Sequence, residues 1–216
     1  MRLLDELREE HQRIESVLGA LRGYVARRLE GEAPGDGARF VTFFRKYADE
    51  FHHAREEGVL FPALVEHAEV PSTRGPIAAI TADHAAMRAM LRELSTLLDA
   101  PLDDALRARL TALATAFSRA LSLHIDAENS VLFPEGEARL RAAGVRELPS
   151  RRETDEEALA RDDGDALIAR WPSITDDGVV RGEGCAICPN FGASCDGVER
   201  EWWSDEEWDE FPDHVG

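Results

Sequence analysis

The amino-acid sequence predicts an all-α protein in which a four-helix bundle precedes a mostly irregular, acidic C-terminal extension. Three observations lead to this prediction: four apolar stripes with helical spacing, a motif that occurs in two of them, and a marked rise in negative charge after the last stripe. Four amphipathic helices of bundle length bury their apolar stripes against one another.

Along each stripe, apolar residues recur mostly at steps of three and four, which is the spacing of one face of an α-helix. The first stripe is Leu4, Leu7, His11, Ile14, Leu18, Leu21 and Val25. The second is Phe40, Phe44, Ala48, His52, Glu56, Val59 and Ala63. The third is Ile77, Ile80, His84, Met87, Leu91, Leu94 and Leu98. The fourth is Leu110, Leu113, Phe117, Ala120, His124, Glu128 and Val131, so that every stripe carries one histidine.

The motif His-x-x-x-Glu-x-x-Val-Leu-Phe-Pro begins at His52 in the second stripe and at His124 in the fourth. Its spacing of four residues places the imidazole and the carboxylate on one helix face, one turn apart. Residues 49–62 and 121–134 align without gaps at an offset of 72. The bundle is therefore predicted to be a duplicated helix pair with a pseudo-twofold axis.

The two inward glutamates argue most strongly for a metal. A buried, ionised carboxylate is costly unless it is paired or coordinates a cation, and no Lys or Arg lies on the four stripes. One histidine on an apolar stripe is more often an ordinary core residue, but a metal explains four histidines and two carboxylates together. The predicted metal ligands are His11, His52, Glu56, His84, His124 and Glu128.

The ligand types narrow the choice of metal. Imidazole and carboxylate without thiolate suit iron, manganese or zinc. Inward carboxylates on facing bundle helices are typical of di-iron or di-manganese pairs. Six protein groups shared by two ions leave open positions even with an oxo or hydroxo bridge, and open positions on iron bind O2, NO or peroxide.

These motifs resemble the hemerythrin-like, or HHE cation-binding, domain family, and the resemblance covers the predicted bundle domain, residues 1–145. It implies an up-down four-helix bundle that holds a non-haem di-iron centre of two oxo- or hydroxo-bridged Fe ions. The assignment that it implies is His11 and His52 on one iron, His84 and His124 on the other, and Glu56 and Glu128 as bridges.

Oxygen-carrying hemerythrins have two histidines one turn apart on the third helix, whereas here Arg88 stands one turn after His84. The ligand set is more similar to the branch that contains iron–sulfur-cluster repair proteins and regulatory hemerythrin-like domains. His53 lies about 100° round an α-helix from His52, so we predict that it supports the ligands or faces the surface. We predict that His67 faces solvent. The Leu-Phe-Pro sequences either plug the metal chamber or pack as ordinary core, with the proline kinking or ending the helix.

Composition restricts location and partners. A hydrophobic fraction of 44% is ordinary for a soluble protein, and no membrane segment is present. The N-terminal residues enter an amphipathic helix without an apolar signal region, which predicts a cytoplasmic protein, and an odd cysteine count fits a reducing compartment. The net charge of −18 argues against nucleic acid as a partner.

The charge divides the chain. Residues 146–216 carry −13 and residues 1–145 carry −5. We interpret residues 146–174 as a linker in which Thr154 could cap a short helix. Residues 175–216 form a cysteine-containing, acidic, Trp-rich tail, whose Trp202, Trp203 and Trp208 predict docking on an apolar, basic surface of the bundle or of a partner protein.

All three cysteines fall within the tail: Cys185, Cys188 and Cys195. Three thiolates are one short of a closed zinc or iron–sulfur site, so His214 or Asp196 would have to complete it. A redox-active dithiol that passes electrons to the irons and thiols without special chemistry remain open as alternatives.

Three functions remain open at this stage. The first is a protein that senses or handles O2, NO or peroxide in iron or redox homeostasis and the stress response. The second is an enzyme that repairs iron–sulfur clusters by donating iron, or that reduces NO or peroxide. The third is a non-catalytic metal-binding interaction module that acts through its tail. Residue spacing does not separate sensing from catalysis, because both need open coordination positions.

Overall fold

The computed structural model describes residues 1–32, 35–175 and 178–179. These residues form helices and their connections and contain no β-strand, which confirms the all-α prediction. Four helical segments form the bundle, and one additional helix packs against it. None of the helices in this part of the chain has both the length and the hydrophobicity needed to cross a lipid bilayer.

Two of the bundle helices are composites. The first bundle helix is α1 (Arg2–Leu29). The second joins α2 (Gly37–Phe43), the π-helical segments π1 (Phe44–His53) and π2 (Glu56–Leu60), and α3 (Phe61–Ala68). The third is α4 (Gly75–Ser95). The fourth joins α5 (Asp104–Ala127), the π-helical segment π3 (Glu128–Leu132) and α6 (Phe133–Ala142).

The repeated motif produces the π-helical turns π2 and π3. In each copy the phenylalanine of Leu-Phe-Pro donates its N–H to the carbonyl of the glutamate five residues earlier, Phe61 to Glu56 and Phe133 to Glu128. The next residue, proline, has no N–H, and in an α-helix its ring would crowd the carbonyl four residues before it. The wider turn relieves this conflict, so the helix continues through the proline instead of ending there.

The longer segment π1 aligns the second apolar stripe. From Phe40 to Glu56 this stripe advances only by steps of four, and each such step turns about 40° past the starting face of an α-helix. A straight α-helix would therefore carry the stripe to its far side. The wider helix keeps these residues facing the core, and all of them are buried: Phe40, Phe44, Ala48, His52 and Glu56.

The fifth helix, α7 (Asp155–Arg170), lies in the segment that the sequence analysis interprets as a linker. Its predicted cap is confirmed: Thr154 and Glu157 exchange the two hydrogen bonds of a capping box. The helix is not a short, isolated one, however, because it has 16 residues and packs against α1, α2 and π1.

The contact between α7 and the bundle is close and apolar. Leu167 and Trp171 belong to the same buried cluster as the bundle core. At Gly164 a Cβ atom would lie 2.5 Å from the ring of Phe43, which is itself fully buried. Only glycine allows this approach without displacement of α7 or of the phenylalanine.

Candidate metal centre

The six predicted ligands form a polar layer between two apolar clusters of the bundle. On α1, for example, His11 lies between Leu7 of one cluster and Ile14 of the other. None of the six ligand side chains is more than 2% exposed: His11, His52, Glu56, His84, His124 and Glu128. The structure thus brings together, from four helices, all the bundle residues that the sequence analysis selected.

Potential ligand atoms gather in two overlapping groups. Within each group, one atom from every residue lies within 4.8 Å of the others. The first group is His11, His52, Glu56 and Glu128, and the second is His53, Glu56, His84 and His124. Because Glu56 belongs to both groups, the arrangement suits two cations placed side by side rather than two separate sites.

Each carboxylate faces one histidine of the pair His11 and His52 and one histidine of the pair His84 and His124. Oε1 of Glu56 lies 3.4 Å from Nε2 of His52, and its Oε2 lies 3.5 Å from Nε2 of His84. Oε2 of Glu128 lies 3.1 Å from Nε2 of His11 and 3.2 Å from Nε2 of His124. Both carboxylates therefore occupy the positions that bridging ligands require.

The polar atoms of this layer fit a metal better than they fit one another. Although histidine nitrogens approach them, all four carboxylate oxygens of Glu56 and Glu128 are buried and have no partner with hydrogen-bond geometry among the described residues. The same holds for Nε2 of His11 and of His52. Leaving such atoms unpartnered is costly in an apolar interior, and coordination to a cation removes that cost.

Hydrogen-bond acceptors hold the outer nitrogens of three of the four histidines. Nδ1 of His11 lies 2.9 Å from Asn129, Nδ1 of His52 lies 2.9 Å from Glu10, and Nδ1 of His84 lies 2.7 Å from Glu57. Nδ1 of His124 lies 3.7 Å from Asp83, which is too far for a hydrogen bond. An Nδ1–H that donates to such an acceptor leaves the lone pair on Nε2. This atom faces the space among the six predicted ligands, which we call the chamber. Metal-binding histidines are oriented in this way, which fixes both tautomer and ring direction.

Burial sets the protonation of the chamber. Burial and the neighbouring second carboxylate raise the pKa of Glu56 well above its usual range. Burial and the adjacent imidazoles lower the pKa of His52 and of His53 well below theirs. The hydrogen bond from His84 lowers the pKa of Glu57 to about 2, which keeps this acceptor ionised. At His124 burial also acts to lower the pKa, but the neighbouring Glu128 carboxylate raises it overall. Neutral imidazoles, which burial favours at His52 and His53, are the form that binds metal.

The chamber reflects the sequence repeat. The offset of 72 or 73 residues relates the predicted ligands in pairs: His11 to His84, His52 to His124 and Glu56 to Glu128. It also relates the residues beside the outer histidine nitrogens: Glu57 to Asn129 and Glu10 to Asp83. The phenylalanines of the two Leu-Phe-Pro sequences are related by the same offset. Phe133 stacks on His11 with ring centroids 5.4 Å apart, and Phe61 stacks on His84 with centroids 6.2 Å apart. Leu-Phe-Pro therefore closes the chamber as well as shaping the helix.

Of the two positions predicted for His53, the surface position is wrong, because the residue is 4% exposed. Its ring stacks on that of His84 with centroids 3.8 Å apart, so it lies beside the predicted ligands. The prediction assumed the 100° step of an α-helix, but His53 ends π1, where consecutive residues turn less. The strict steps of four in the second stripe were the signal of that wider helix. His67 is exposed, as predicted.

A narrow pocket opens onto the second group. Its cavity volume is about 20 Å³, and apolar side chains together with His53 and His84 line it. A volume of this size holds about one water-sized molecule. Arg88 lines its rim and donates to Asp49 and Glu57 at 2.7 and 2.8 Å.

A four-helix bundle with a buried layer of histidines and carboxylates defines a class of metal-binding helical proteins. The comparison with protein families identifies the family within this class: the model described as Hemerythrin HHE cation binding domain matches residues 2–136. The chain belongs to this family. No curated protein and no solved structure matches the chain significantly. The tail cysteines, Cys185, Cys188 and Cys195, lie outside the residues that the structure describes.

Proposed function

We propose that this chain binds two iron ions in the chamber and that the centre senses or handles O2, NO or peroxide. The observation that carries the proposal is the pair of overlapping ligand groups, in which Glu56 is shared and a small pocket adjoins one group. Iron held by imidazole and carboxylate ligands supplies redox chemistry and open positions for a small ligand.

The protein residues have three tasks in this proposal. The histidines and the two glutamates hold the metal ions. The acceptors Glu10, Glu57 and Asn129 orient the rings of His52, His84 and His11. The apolar pocket excludes bulk water and restricts access to molecules of diatomic or similar size.

The pocket gives a direct test of ligand access. Ala48 lines it and is 3% exposed, so Ala48→Leu is expected to fill a cavity of about 20 Å³. We expect the rate of NO binding to the iron-loaded protein to fall at least about tenfold, a barrier of about 1.4 kcal/mol. Stopped-flow absorbance under anaerobic conditions measures this rate.

Ala114→Leu is the matched control, because Ala114 belongs to the same core cluster but does not line this pocket. Iron content must be unchanged in both variants. An unchanged NO rate in Ala48→Leu with full iron content would show that ligands reach the centre by another route.

His53 is proposed as a seventh ligand, since it completes the second group. The repeat offers a conservative replacement, because Ile125 occupies the matching position in the fourth helix and is also buried. We expect His53→Ile to weaken the binding of one of the two ions by at least about tenfold, as loss of a group beside a metal does. Anaerobic Fe²⁺ titration followed by absorbance measures the two affinities, with His67→Ala as the exposed control. Equal affinities in all three proteins would make His53 a packing residue.

A further inference from the structure

The two halves of the centre differ in how they support one histidine. Nδ1 of His52 lies 2.9 Å from Glu10, within hydrogen-bond distance, whereas in the other half Nδ1 of His124 lies 3.7 Å from the matching residue, Asp83, which is too far for a hydrogen bond. The Glu10 side chain is 10% exposed, whereas that of Asp83 is 55% exposed. Glu10 also forms an ion pair with Arg55, and the repeat places Ala127 at the position that matches Arg55. The departure from symmetry is therefore an added, buried ion pair beside His52.

Arg55 connects this ion pair to a segment beyond the bundle. Its side chain is 2% exposed and pairs with both Glu10 and Glu6 of α1. It also donates to Oγ of Ser150 at 3.0 Å, and Ser150 donates to Glu6 at 2.5 Å. A buried guanidinium is costly unless it is paired. Nη1 and Nη2 of Arg55 carry all of these contacts, so loss of one partner leaves part of a buried charge unpaired.

The contacts continue from Ser150 to the start of α7. The guanidinium groups of Arg55 and Arg151 lie 4.7 and 4.8 Å from the ring centroid of Phe51. Arg151 donates two hydrogen bonds of 2.7 Å to Glu157, the residue that closes the capping box of α7. Ser150, Arg151 and α7 all follow residue 136, where the match to the family ends.

We infer that Glu10 and Arg55 are positioning residues that join the metal centre to α7, so that metal binding and docking of α7 stabilise each other. The inference rests on the proposed function, because it requires a metal at His52. A metal that fixes the His52 ring also fixes Glu10, and through it Arg55 and Ser150. By reciprocity, the factor by which metal favours docking equals the factor by which docking favours metal.

Hydrogen exchange on the full chain tests the link, with and without Fe²⁺ added anaerobically. We expect Fe²⁺ to slow exchange of the α7 amides by about fivefold or more, the lower end of typical coupling between two sites. The double variant Ser150→Ala, Arg151→Ala removes the hydrogen bonds of Ser150 and Arg151 that lead from Arg55 to α7. It leaves Glu10, Arg55, the predicted ligands and the apolar packing of α7 in place. It is expected to bind the same amount of Fe²⁺ and to lose this slowing.

Arg161→Ala is the matched control within α7, because Arg161 pairs with Glu153 and Asp162 but contacts none of the linking residues. It is expected to retain the slowing. The reciprocal measurement uses Gly164→Ala, which loosens α7 at its contact with Phe43. We expect the Fe²⁺ affinity of this variant to fall by a factor no larger than the factor by which Fe²⁺ slows hydrogen exchange in α7, with the full factor reached only if α7 undocks completely. Arg55→Lys keeps the charge but not the forked contacts, so it is expected to bind Fe²⁺ without slowing exchange.

Fe²⁺ titration of each variant separates the outcomes. If Fe²⁺ binds and exchange in α7 does not change, the link is wrong and the proposed function stands. If slowing persists in the Ser150→Ala, Arg151→Ala variant, the stabilisation is general and does not pass through these contacts. If no Fe²⁺ binds to the chamber, both the link and the proposed function are overturned.

Discussion

Replacing Glu56 by glutamine is expected to abolish binding of the paired ions while leaving the metal-free fold at least as stable as before. Glu56 is the one residue common to both ligand groups, and a neutral amide cannot supply the two anionic oxygens of a bridge. Without metal, however, the buried carboxylate is a cost, because it lies fully buried beside Glu128 with no hydrogen-bond partner among the described residues.

The two measurements for this variant are Fe²⁺ stoichiometry and the thermal midpoint of metal-free protein. We expect the Fe²⁺ stoichiometry to fall and the thermal midpoint of the metal-free protein to stay the same or rise. Glu66→Gln is the matched control, since Glu66 is an exposed glutamate in the following helix, α3. A lower midpoint with unchanged metal binding would mean that Glu56 serves the fold rather than a metal.

Removal of the metal is expected to lower the thermal midpoint of the wild-type chain substantially. A ligand present at a thousand times its dissociation constant stabilises the folded state by about 4 kcal/mol. In a protein of this length each kcal/mol corresponds to roughly 2–4 °C, so the expected difference is roughly 8–16 °C. Differential scanning calorimetry of chelated and Fe²⁺-loaded protein measures it.

The double variant Glu56→Gln, Glu128→Gln serves as the control for that comparison. It removes both carboxylates of the chamber and leaves the tail cysteines unchanged. Its midpoint is expected not to respond to Fe²⁺. A response as large as that of the wild type would locate the stabilising metal outside the chamber.

The sequence was sufficient to predict the class of fold and the grouping of the six candidate ligands, because both follow from periodicity. Steps of three and four define which face of each helix is buried, and inward carboxylates without a basic partner require another cation. Neither argument depends on contacts between helices, which is why the positions of His11 and His84 on their stripes were enough to select them.

The hydrogen-bonding pattern of the helices was harder to predict. A short apolar stripe shows which face of a helix is buried. It does not show whether each backbone carbonyl accepts a hydrogen bond from the residue four positions later, as in an α-helix, or five positions later, as in a π-helix. The π-helical segment π1 is therefore absent from the sequence prediction, and the surface alternative for His53 fails with it. The unbroken steps of four from Phe40 to Glu56 are the sequence signal of the wider helix, because each step exceeds the 3.6 residues of an α-helical turn.

Contacts between distant segments were not accessible to the same reasoning. The pairing of His52 with Glu10 joins residues 42 apart, and that of Arg55 with Ser150 joins residues 95 apart. The offset of the repeat relates Glu10 to Asp83, so it shows which acceptors correspond but not what they bind. For α7, the cap at Thr154 was readable, whereas its docking depends on the shape of the groove that receives Gly164.

The most direct test of a di-iron chamber is elemental analysis of the full chain after anaerobic loading with Fe²⁺ and removal of excess metal, together with the Glu56→Gln, Glu128→Gln variant. The two ligand groups predict about two iron ions per wild-type chain and none at the chamber of the variant. Equal iron content in both proteins, or none in either, would contradict the account.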